Sequence, residues 1–211
     1  MTVLVLGASG QIGQFLLPRL DAAGLDWIAV SRQARADARW RLGSLPTDMP
    51  DLPPLRAVVS LGPITEFAAW LSANRLPGTP HILATSSMSA ESKRESMIVE
   101  EREVSRRLRE GETAIATICA SRGMPWTLFR PTLIYGAGVD KSLTPIVHAS
   151  LRRRVFPIPS GRGQRQPVHA DDIAAAVVAA IASPFARGQT FPIGGGERLP
   201  AAEMFRRARR S

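Results

Sequence analysis

The feature that most constrains the fold of this chain is a glycine-rich turn directly after a short apolar run. The run is Val3-Leu4-Val5-Leu6, and the turn is Gly7-Ala8-Ser9-Gly10-Gln11-Ile12-Gly13. Apolar residues then recur at helical spacing at Ile12, Phe15, Leu16 and Leu20, which predicts a helix that opens at the turn. Glycines let the backbone approach a pyrophosphate without an intervening Cβ atom, and a helix N-terminus offers free N–H groups to phosphates. All seven residues of the turn are therefore predicted to contact a dinucleotide, the alternative being a merely flexible turn.

Strand-like and helix-like segments alternate along the rest of the chain, which is typical of a parallel sheet covered on both faces. The later predicted strands are 27–30, 40–42, 57–60, 81–85, 126–129 and 190–193. The later predicted helices are 64–74, 91–110 with an apolar continuation to 123, 143–153 and 171–182. We expect an α/β fold, a Rossmann-type doubly wound parallel sheet in a single domain, residues 1–211. Residues 136–165 and 184–211 are expected to form a small C-terminal substrate lobe.

The end of the second predicted strand indicates which dinucleotide is preferred. An acidic residue there would bind a ribose 2′-hydroxyl, whereas arginine accommodates a 2′-phosphate. The sequence reads Val30-Ser31-Arg32, with Arg35 close behind and no acid at the tip. Ser31 and Arg32 therefore predict NADP(H) as the preferred cofactor, with NAD(H) as the alternative if Arg32 is simply solvated.

An excess of arginine gives the chain a formal charge of +9. All but two of its 27 basic residues are arginines, the exceptions being Lys93 and Lys141. A net positive charge favours anionic partners, although a codon bias towards arginine explains the arginine enrichment equally well. No aromatic residues interleave the basic runs, and no zinc or helix-turn-helix signature occurs, so a nucleic-acid partner is not expected.

Cysteine and histidine usage restricts the compartment and the chemistry. The single cysteine, Cys119, cannot form an internal disulfide, which favours a reducing, cytoplasmic setting, and its apolar surroundings predict a buried structural thiol. The start of the sequence reads as a strand and a turn rather than a signal peptide. No run of about 18 apolar residues predicts a membrane span. The histidines, His81, His148 and His169, show no metal-ligand spacing, so no metal site is expected.

Three further motifs follow later in the chain, after the predicted strands 81–85 and 126–129 and before the predicted helix 171–182. They are Thr85-Ser86-Ser87, Arg130-Pro131-Thr132-Leu133-Ile134-Tyr135-Gly136, and Gln166-Pro167-Val168-His169-Ala170-Asp171-Asp172-Ile173. With the glycine turn, they give the chain a resemblance to extended short-chain dehydrogenase/reductases of the epimerase/dehydratase family. The resemblance implies a Rossmann-type, NAD(P)-binding oxidoreductase or nucleoside-diphosphate-sugar epimerase.

The resemblance also implies roles for individual residues. Ser87 falls at the position of the family's catalytic serine, with Ser86 beside it at the cofactor. Gly43-Ser44 stands where many relatives carry Gly-Asp for the adenine, which puts a carboxylate contact to adenine in doubt. The residues implied to border the cofactor elsewhere are Leu61, Gly62, Pro63, Pro131 and Thr132.

The chain departs from the family at its proton relay, a Tyr-x-x-x-Lys pair on the helix after the fifth strand. The single tyrosine is Tyr135, which belongs to the Arg-Pro turn instead. If Glu112 matches the family's helix glutamate, the relay positions fall at Val104 and Leu108. Because a positioned acid or base contributes about 10²–10⁴-fold to a rate, the usual reaction would be impaired without a substitute.

Candidates for that substitute are few. Lys93 and Glu91 follow Ser87 closely, and Lys141 and His148 belong to the expected lobe. Solvated surface is the alternative for each of them. A water held by Ser87 is a further candidate.

Two classes of function remain open at this point. The first is an atypical NADP(H)-dependent oxidoreductase or epimerase that acts on a small molecule, a sugar nucleotide or another carbonyl or alcohol. The second is a non-catalytic dinucleotide-binding sensor, assembly factor or structural subunit, which the missing relay favours. The sequence leaves the substrate and the oligomeric state open.

Overall fold

The computed structural model describes residues 1–139, 144, 145, 152 and 163–210. The strands are β1 (Thr2–Leu6), β2 (Trp27–Ser31), β3 (Trp40–Leu42), β4 (Leu55–Ser60), β5 (His81–Thr85), β6 (Trp126–Pro131), β7 (Ile134–Tyr135), β8 (Gln164–Arg165), β9 (Val168–His169), β10 (Gln189–Ile193) and β11 (Leu199–Pro200). The helices are α1 (Gln11–Ala22), α2 (Ile64–Ala73), α3 (Ser89–Ser92), α4 (Val99–Ser121), α5 (Ala170–Ala182) and α6 (Ala201–Arg210), with a 3₁₀ turn at Pro184–Ala186. Most of the predicted helix 143–153, and the candidates Lys141 and His148, lie outside the described residues.

Seven strands form the central sheet in the order β10-β6-β5-β4-β1-β2-β3. Every pairing in it is parallel, so the expected doubly wound fold is confirmed. The chain runs outward from β1 to β2 and β3, then returns to β4 on the other side of β1. Ligands of such sheets bind outside the carboxyl ends of the strands, where the order reverses. The turn after β1 lies at that point.

Alternate residues of the buried strands supply two apolar cores, one on each face of the sheet. In β1, Val3 and Val5 pack with α1 and α5, whereas Leu4 and Leu6 pack with α2 and α4. Successive side chains of a strand point to opposite faces, so a strand that is buried on both faces is apolar throughout. This explains why the strands read as continuous apolar runs.

Helix α4 differs from its prediction at its start. The pattern predicted helix from residue 91, but the structure has the short α3 first and α4 from Val99. The Ser96 hydroxyl accepts the Ile98 N–H at 3.2 Å and donates to Glu101 at 2.6 Å. Such local bonds compete with helix formation. Gly111 lies inside α4 at its contact with α2, where a Cβ atom would lie 2.9 Å from Ile64 Cγ2.

The C-terminal part adds small elements to the edge of the sheet. Strand β10 pairs with β6, so residues 189–193 of the expected lobe lie in the central sheet. Strands β7 and β9 form a parallel ribbon, and β8 and β11 form an antiparallel one. On α6, Arg206 and Arg207 are paired with Glu203. No helix in the described ranges is long and apolar enough to cross a bilayer.

A buried histidine connects β5 to β6. His81 is 5% exposed and its Nε2 lies 2.8 Å from Thr127 Oγ1, which donates to the Ala186 carbonyl at 2.6 Å. Because the Thr127 hydroxyl donates its proton to the Ala186 carbonyl, it must accept in its hydrogen bond with His81. His81 Nε2 therefore carries a proton and is the donor of that bond. Burial, with a smaller contribution from Arg187, lowers the pKa of His81 from 6.5 to about 4.

Acidification is expected to destabilise the protein through His81. Between pH 6.5 and pH 4 the unfolded state binds a proton that the folded state does not, so the free energy of unfolding falls as the pH falls. The loss should reach about 3 kcal/mol near pH 4. Urea unfolding at pH 7.5 and pH 4 of the wild type and His81→Gln measures it, because glutamine does not titrate. An equal pH dependence in both proteins would contradict the assignment.

Candidate functional site

The turn after β1 is shaped by close backbone approaches. Gly7 has φ +79, and a Cβ atom there would lie 3.1 Å from the carbonyl carbon of Leu61. A Cβ atom on Gly13 would lie 2.1 Å from the Ala8 carbonyl oxygen. The Gly10 N–H donates to the Gly7 carbonyl at 2.9 Å. Glycine is therefore required at positions 7 and 13, where the turn meets the end of β4 and the start of α1.

The N-terminus of α1 has free donors for an anion. Gly10 provides no side-chain cap, and the first turn contains no acidic residue. The first N–H groups of a helix lack intrahelical partners, and the helix dipole makes this end positive. The side chains of Ala8 and Ile12 are buried in the core. Of the residues predicted to bind cofactor, these two can therefore offer backbone groups only.

A first cavity, which we call the β2 cavity, opens beside this turn on the β2 side. Its volume is about 280 Å³, and Gly7, Ser9, Ser31, Arg32, Gly62 and Pro63 are among its lining residues. A Cβ atom on Gly62 would meet no atom within 4 Å, so the glycine leaves open space at the wall. Gly43 and Ser44 also line this cavity. The cavity is therefore formed by residues at the carboxyl ends of four strands, β1 to β4.

Arg32 differs from the arginines around it. Arg35 packs over the Trp40 ring at 5.3 Å, and Arg39 is paired with Asp37 and Asp21. Within the part of the chain that the structure describes, Arg32 makes no ion pair. Its guanidinium is therefore available to an anion in the β2 cavity.

A second cavity, the β5 cavity, opens on the other side of the turn. Its volume is about 930 Å³. The lining side chains that can form hydrogen bonds or ion pairs include Gln11, Ser87, Ser89, Ser92, Lys93, Glu101, Thr132, Gln164, Arg165, Gln166 and Arg198. They come from the turn after β1, the segments after β5 and β6, and the C-terminal ribbons. The two cavities lie on opposite sides of the glycine turn at one edge of the sheet.

The motif residues after β5 and β6 meet at this second cavity. Ser87 Oγ accepts the Ser89 N–H at 3.1 Å, which leaves the Ser87 hydroxyl proton free to donate. The Thr132 hydroxyl donates to the Gln166 carbonyl, and both residues line the cavity. Pro131 is buried, and its carbonyl accepts the Met88 N–H at 2.9 Å. The structure thus brings Ser87 and Thr132 together and leaves Pro131 behind the wall.

Two polar atoms of the site have no protein partner among the described residues. Gln11 Oε1 and Ser86 Oγ are buried without a hydrogen bond. Buried polar groups normally have a partner. Gln11 lies in the turn and Ser86 at the end of β5, so the two atoms fit a bound ligand that supplies the missing hydrogen-bond partners. Together with the open wall at Gly62 and the uncapped helix, these atoms fit a dinucleotide.

The positions where the family relay would fall do not line the β5 cavity. Val104 is 44% exposed, and Leu108 packs against the apolar core under α4. From the described part of α4, Glu101 alone is among the lining residues, and it lies 3.1 Å from Lys93 Nζ. Tyr135 instead packs edge-on against His169, with ring centroids 5.2 Å apart, in a different cavity.

Sequence reasoning missed several residues of this wall. Glu101, Gln166 and Arg198 come from three distant segments of the chain. Gln166 belongs to the Gln-Pro-Val motif, but no local pattern in the sequence indicated Glu101 or Arg198 as site residues. Gln166 Nε2 donates to the Gly195 carbonyl at 2.7 Å, and its Oε1 accepts from Arg198 at 3.2 Å. Cys119 is buried as predicted, and burial raises the pKa of its thiol to about 12.

An ion-pair cluster supports the segment after β5 from behind. Arg130 at the end of β6 binds Glu112 of α4 through two nitrogens, at 2.9 Å and 2.5 Å. A third nitrogen binds Glu91 of α3 at 2.8 Å. Glu91, one of the candidates for the missing relay, is therefore engaged with Arg130. The cluster holds α3, and with it the turn that carries Ser87, against α4 and β6.

Comparison with known proteins identifies similar sequences. The model of the NAD dependent epimerase/dehydratase family matches residues 3–75 and 105–194, most of the chain. An NAD(P)H azoreductase from Xenophilus azovorans is 24% identical and aligns over 96% of this chain and 71% of its own length.

Solved structures show the same fold at low sequence identity. A UDP-glucuronic acid 4-epimerase from Bacillus cereus, in complex with UDP-glucuronic acid and NAD, has a TM-score of 0.75 and 16% identity. The alignment covers 98% of this chain and 82% of that one. A UDP-glucose 4-epimerase from Thermotoga maritima, with UDP-glucose, has a TM-score of 0.74 and 16% identity, over 100% and 82% of the two chains.

Proposed function

Because the chain belongs to the NAD-dependent epimerase/dehydratase family, we propose that it is an NADP(H)-dependent oxidoreductase acting on a small carbonyl or alcohol compound. The observation that supports this most is the arrangement of two cavities on either side of the glycine turn. One contains Arg32, which makes no ion pair with a described residue, and the other contains Ser87 and Thr132. A dinucleotide that crosses the turn would reach both.

The residues of the turn would hold the pyrophosphate through the N–H groups at the start of α1. Ser31 and Arg32 would bind the 2′-phosphate, while Leu61, Gly62 and Pro63 would border the adenosine half. Residues proposed to border the nicotinamide half are Ser86 and Thr132, with Pro131 behind them in the wall. When bound, the cofactor supplies hydride chemistry, and the protein positions and polarises the substrate.

The direction we propose is reduction. The relay positions Val104 and Leu108 supply neither an acid nor a base, so the substrate exchanges its proton through Ser87 or solvent in either direction. Reduction of a carbonyl or a similar acceptor can take its proton from solvent, and Ser87 has a free hydroxyl proton to donate to the acceptor. The name of the azoreductase relative describes a reductase that uses NAD(P)H, whereas the structural neighbours bind sugar nucleotides.

A non-catalytic dinucleotide-binding protein is the second candidate. It is favoured by the position of Tyr135, which lies with His169 in a different cavity from Ser87. Such a sensor or assembly subunit would keep the glycine turn and Arg32 but turn over no substrate.

Replacing Arg32 with alanine is expected to weaken NADP⁺ binding and leave NAD⁺ binding nearly unchanged. A charge-assisted hydrogen bond contributes about 1.5–3 kcal/mol, so the affinity for NADP⁺ should fall roughly tenfold to a hundredfold. Calorimetric titration with both dinucleotides measures the change. Arg56→Ala is the matched control, because Arg56 is an exposed arginine near the amino end of β4, away from both cavities.

Equal binding of both dinucleotides by the wild type would overturn the NADP(H) assignment. The same proteins also separate the two candidate functions. Oxidation of NADPH in the presence of a carbonyl panel, lost in Ser87→Ala, supports the enzyme. Tight cofactor binding without turnover on any acceptor supports the sensor.

A further inference from the structure

A charged pair in the wall of the β5 cavity is not part of the family's relay. Lys93 follows α3, Glu101 lies in the first turn of α4, and Lys93 Nζ is 3.1 Å from Glu101 Oε1. Both residues line the cavity that contains Ser87. Each of the two side chains is 35% exposed, so the pair lies at the cavity surface.

The carboxylate of this pair is fixed by its surroundings. Ser96 donates to Glu101 Oε2 at 2.6 Å, while the Ser96 carbonyl accepts from Arg102 at 2.7 Å. The Ser96 hydrogen bond, followed by the one from Lys93, lowers the pKa of Glu101. Glu101 is therefore an ionised acceptor that holds the Lys93 ammonium in place. An ammonium has three donors, and because Glu101 is the one ion-pair partner of Lys93 among the described residues, two donors remain for groups in the cavity.

Ordinary surface ion pairs on the same helix provide a contrast. Glu103 pairs with Arg106 at 2.6 Å and with Arg107 at 2.8 Å, and none of the three lines either cavity. Exposed pairs of that kind contribute about 0–1 kcal/mol to stability. The side chains of the Lys93–Glu101 pair are also about one-third exposed, so its contribution to stability is small as well. Its position beside Ser87 and Thr132 is what distinguishes it.

We infer that Lys93, positioned by Glu101, stabilises the negative charge that develops on the oxygen of a conjugated carbonyl substrate as that substrate is reduced. This inference rests on the proposed function. When the substrate carbon gains a hydride from the reduced dinucleotide, the C=O π bond breaks and its electron pair moves onto oxygen. The Lys93 ammonium hydrogen-bonds to that oxygen, and a solvent proton completes the hydroxyl group. A preorganised cation at a developing oxyanion lowers the barrier without a tyrosine acid.

The substrate class follows from the apolar part of the cavity wall. Met88, Leu133 and Ile134 give the same cavity an apolar part. A conjugated carbonyl has a flat apolar body for this part and one oxygen for Lys93. Hydride addition to the carbonyl carbon leaves the negative charge on that one oxygen, so a single ammonium is sufficient to stabilise it.

Steady-state kinetics with NADPH and 9,10-phenanthrenequinone test the inference. Lys93→Met should lower kcat about 100-fold with little change in KM, Lys93→Arg should retain most of it, and Glu101→Gln should lose less than Lys93→Met. Arg94→Met and Glu103→Gln are the matched controls and should behave as the wild type. A kcat of Lys93→Met equal to that of the wild type overturns the inference.

A binding measurement gives a readout that does not depend on turnover. The absorption spectrum of 4-nitrophenol reports its ionisation when it binds to the protein loaded with NADP⁺. The wild type and Lys93→Arg should bind the phenolate, and Lys93→Met should bind it about tenfold more weakly or worse. Equal binding by Lys93→Met, or no phenolate binding by the wild type, overturns the inference. Absence of NADP⁺ binding by the wild type would instead overturn the proposed function.

Discussion

Gly13→Ala is expected to disrupt the packing of α1 at the glycine turn and to abolish dinucleotide binding. The added Cβ atom would lie 2.1 Å from the Ala8 carbonyl oxygen and 2.4 Å from its carbonyl carbon and Cα. All three are backbone atoms, so no change of rotamer relieves the contact and the helix must move away from the turn. Overpacking a core usually costs about 1–3 kcal/mol, and the loss in free energy of unfolding should exceed this range. Urea unfolding and NADP⁺ titration measure the two effects.

Two other glycines separate stability from binding. Gly196→Ala is the control for the substitution itself, because a Cβ atom there meets nothing within 4 Å and its stability should be unchanged. Gly62 also faces open space, but in the wall of the β2 cavity. Gly62→Ala should therefore fold normally and bind NADP⁺ more weakly. A Gly13→Ala protein as stable as Gly196→Ala would contradict the packing of the turn.

Glu112→Ala should be the most destabilising substitution of an ionised residue in the described chain. The Glu112 side chain is 6% exposed and that of its partner Arg130 is 21% exposed. Removing Glu112 leaves the mostly buried Arg130 guanidinium with only the more exposed Glu91 to compensate its charge, and breaking a buried pair costs up to about 3–5 kcal/mol. Arg130 also binds Glu91 of α3, so a displaced Arg130 should move the Ser87 turn. We expect a lower unfolding midpoint in urea and, in the surviving folded protein, a lower kcat.

Two variants test whether the cost comes from the uncompensated charge. Glu103→Ala removes an equally ion-paired carboxylate from the exposed face of the same helix, and it should cost about 1 kcal/mol or less. Replacing both partners, Glu112→Leu with Arg130→Met, should recover most of the stability, because well-packed apolar residues replace buried pairs at little cost. A double variant as unstable as Glu112→Ala would show that the loss arises from packing instead.

Local patterns in the sequence determined the frame of the fold and half of the candidate site. The first 20 residues contain an apolar run, three glycines and apolar residues at helical spacing. Each of these patterns acts through contacts between residues that are close in sequence. The strand, the turn and the helix therefore follow from short-range sterics and burial. Arg32 was also predictable, because the residue after β2 reaches the cofactor edge in any sheet of this order. The same is true of Ser87 and Thr132, which directly follow β5 and β6.

Only the tertiary structure decided which side chains meet in the β5 cavity. Lys93 and Glu101 face each other because Ser96 ends the helical pattern between them and delays α4 to Val99. Gln166 and Arg198 directly flank the two strands of the β8–β11 ribbon, and there Arg198 donates to Gln166 in the same wall. Tyr135, adjacent in sequence to cavity residue Ile134, turns instead to His169. Such contacts join residues far apart in the chain, and their energies depend on how strands and helices are packed, which periodicity along a single sequence does not record.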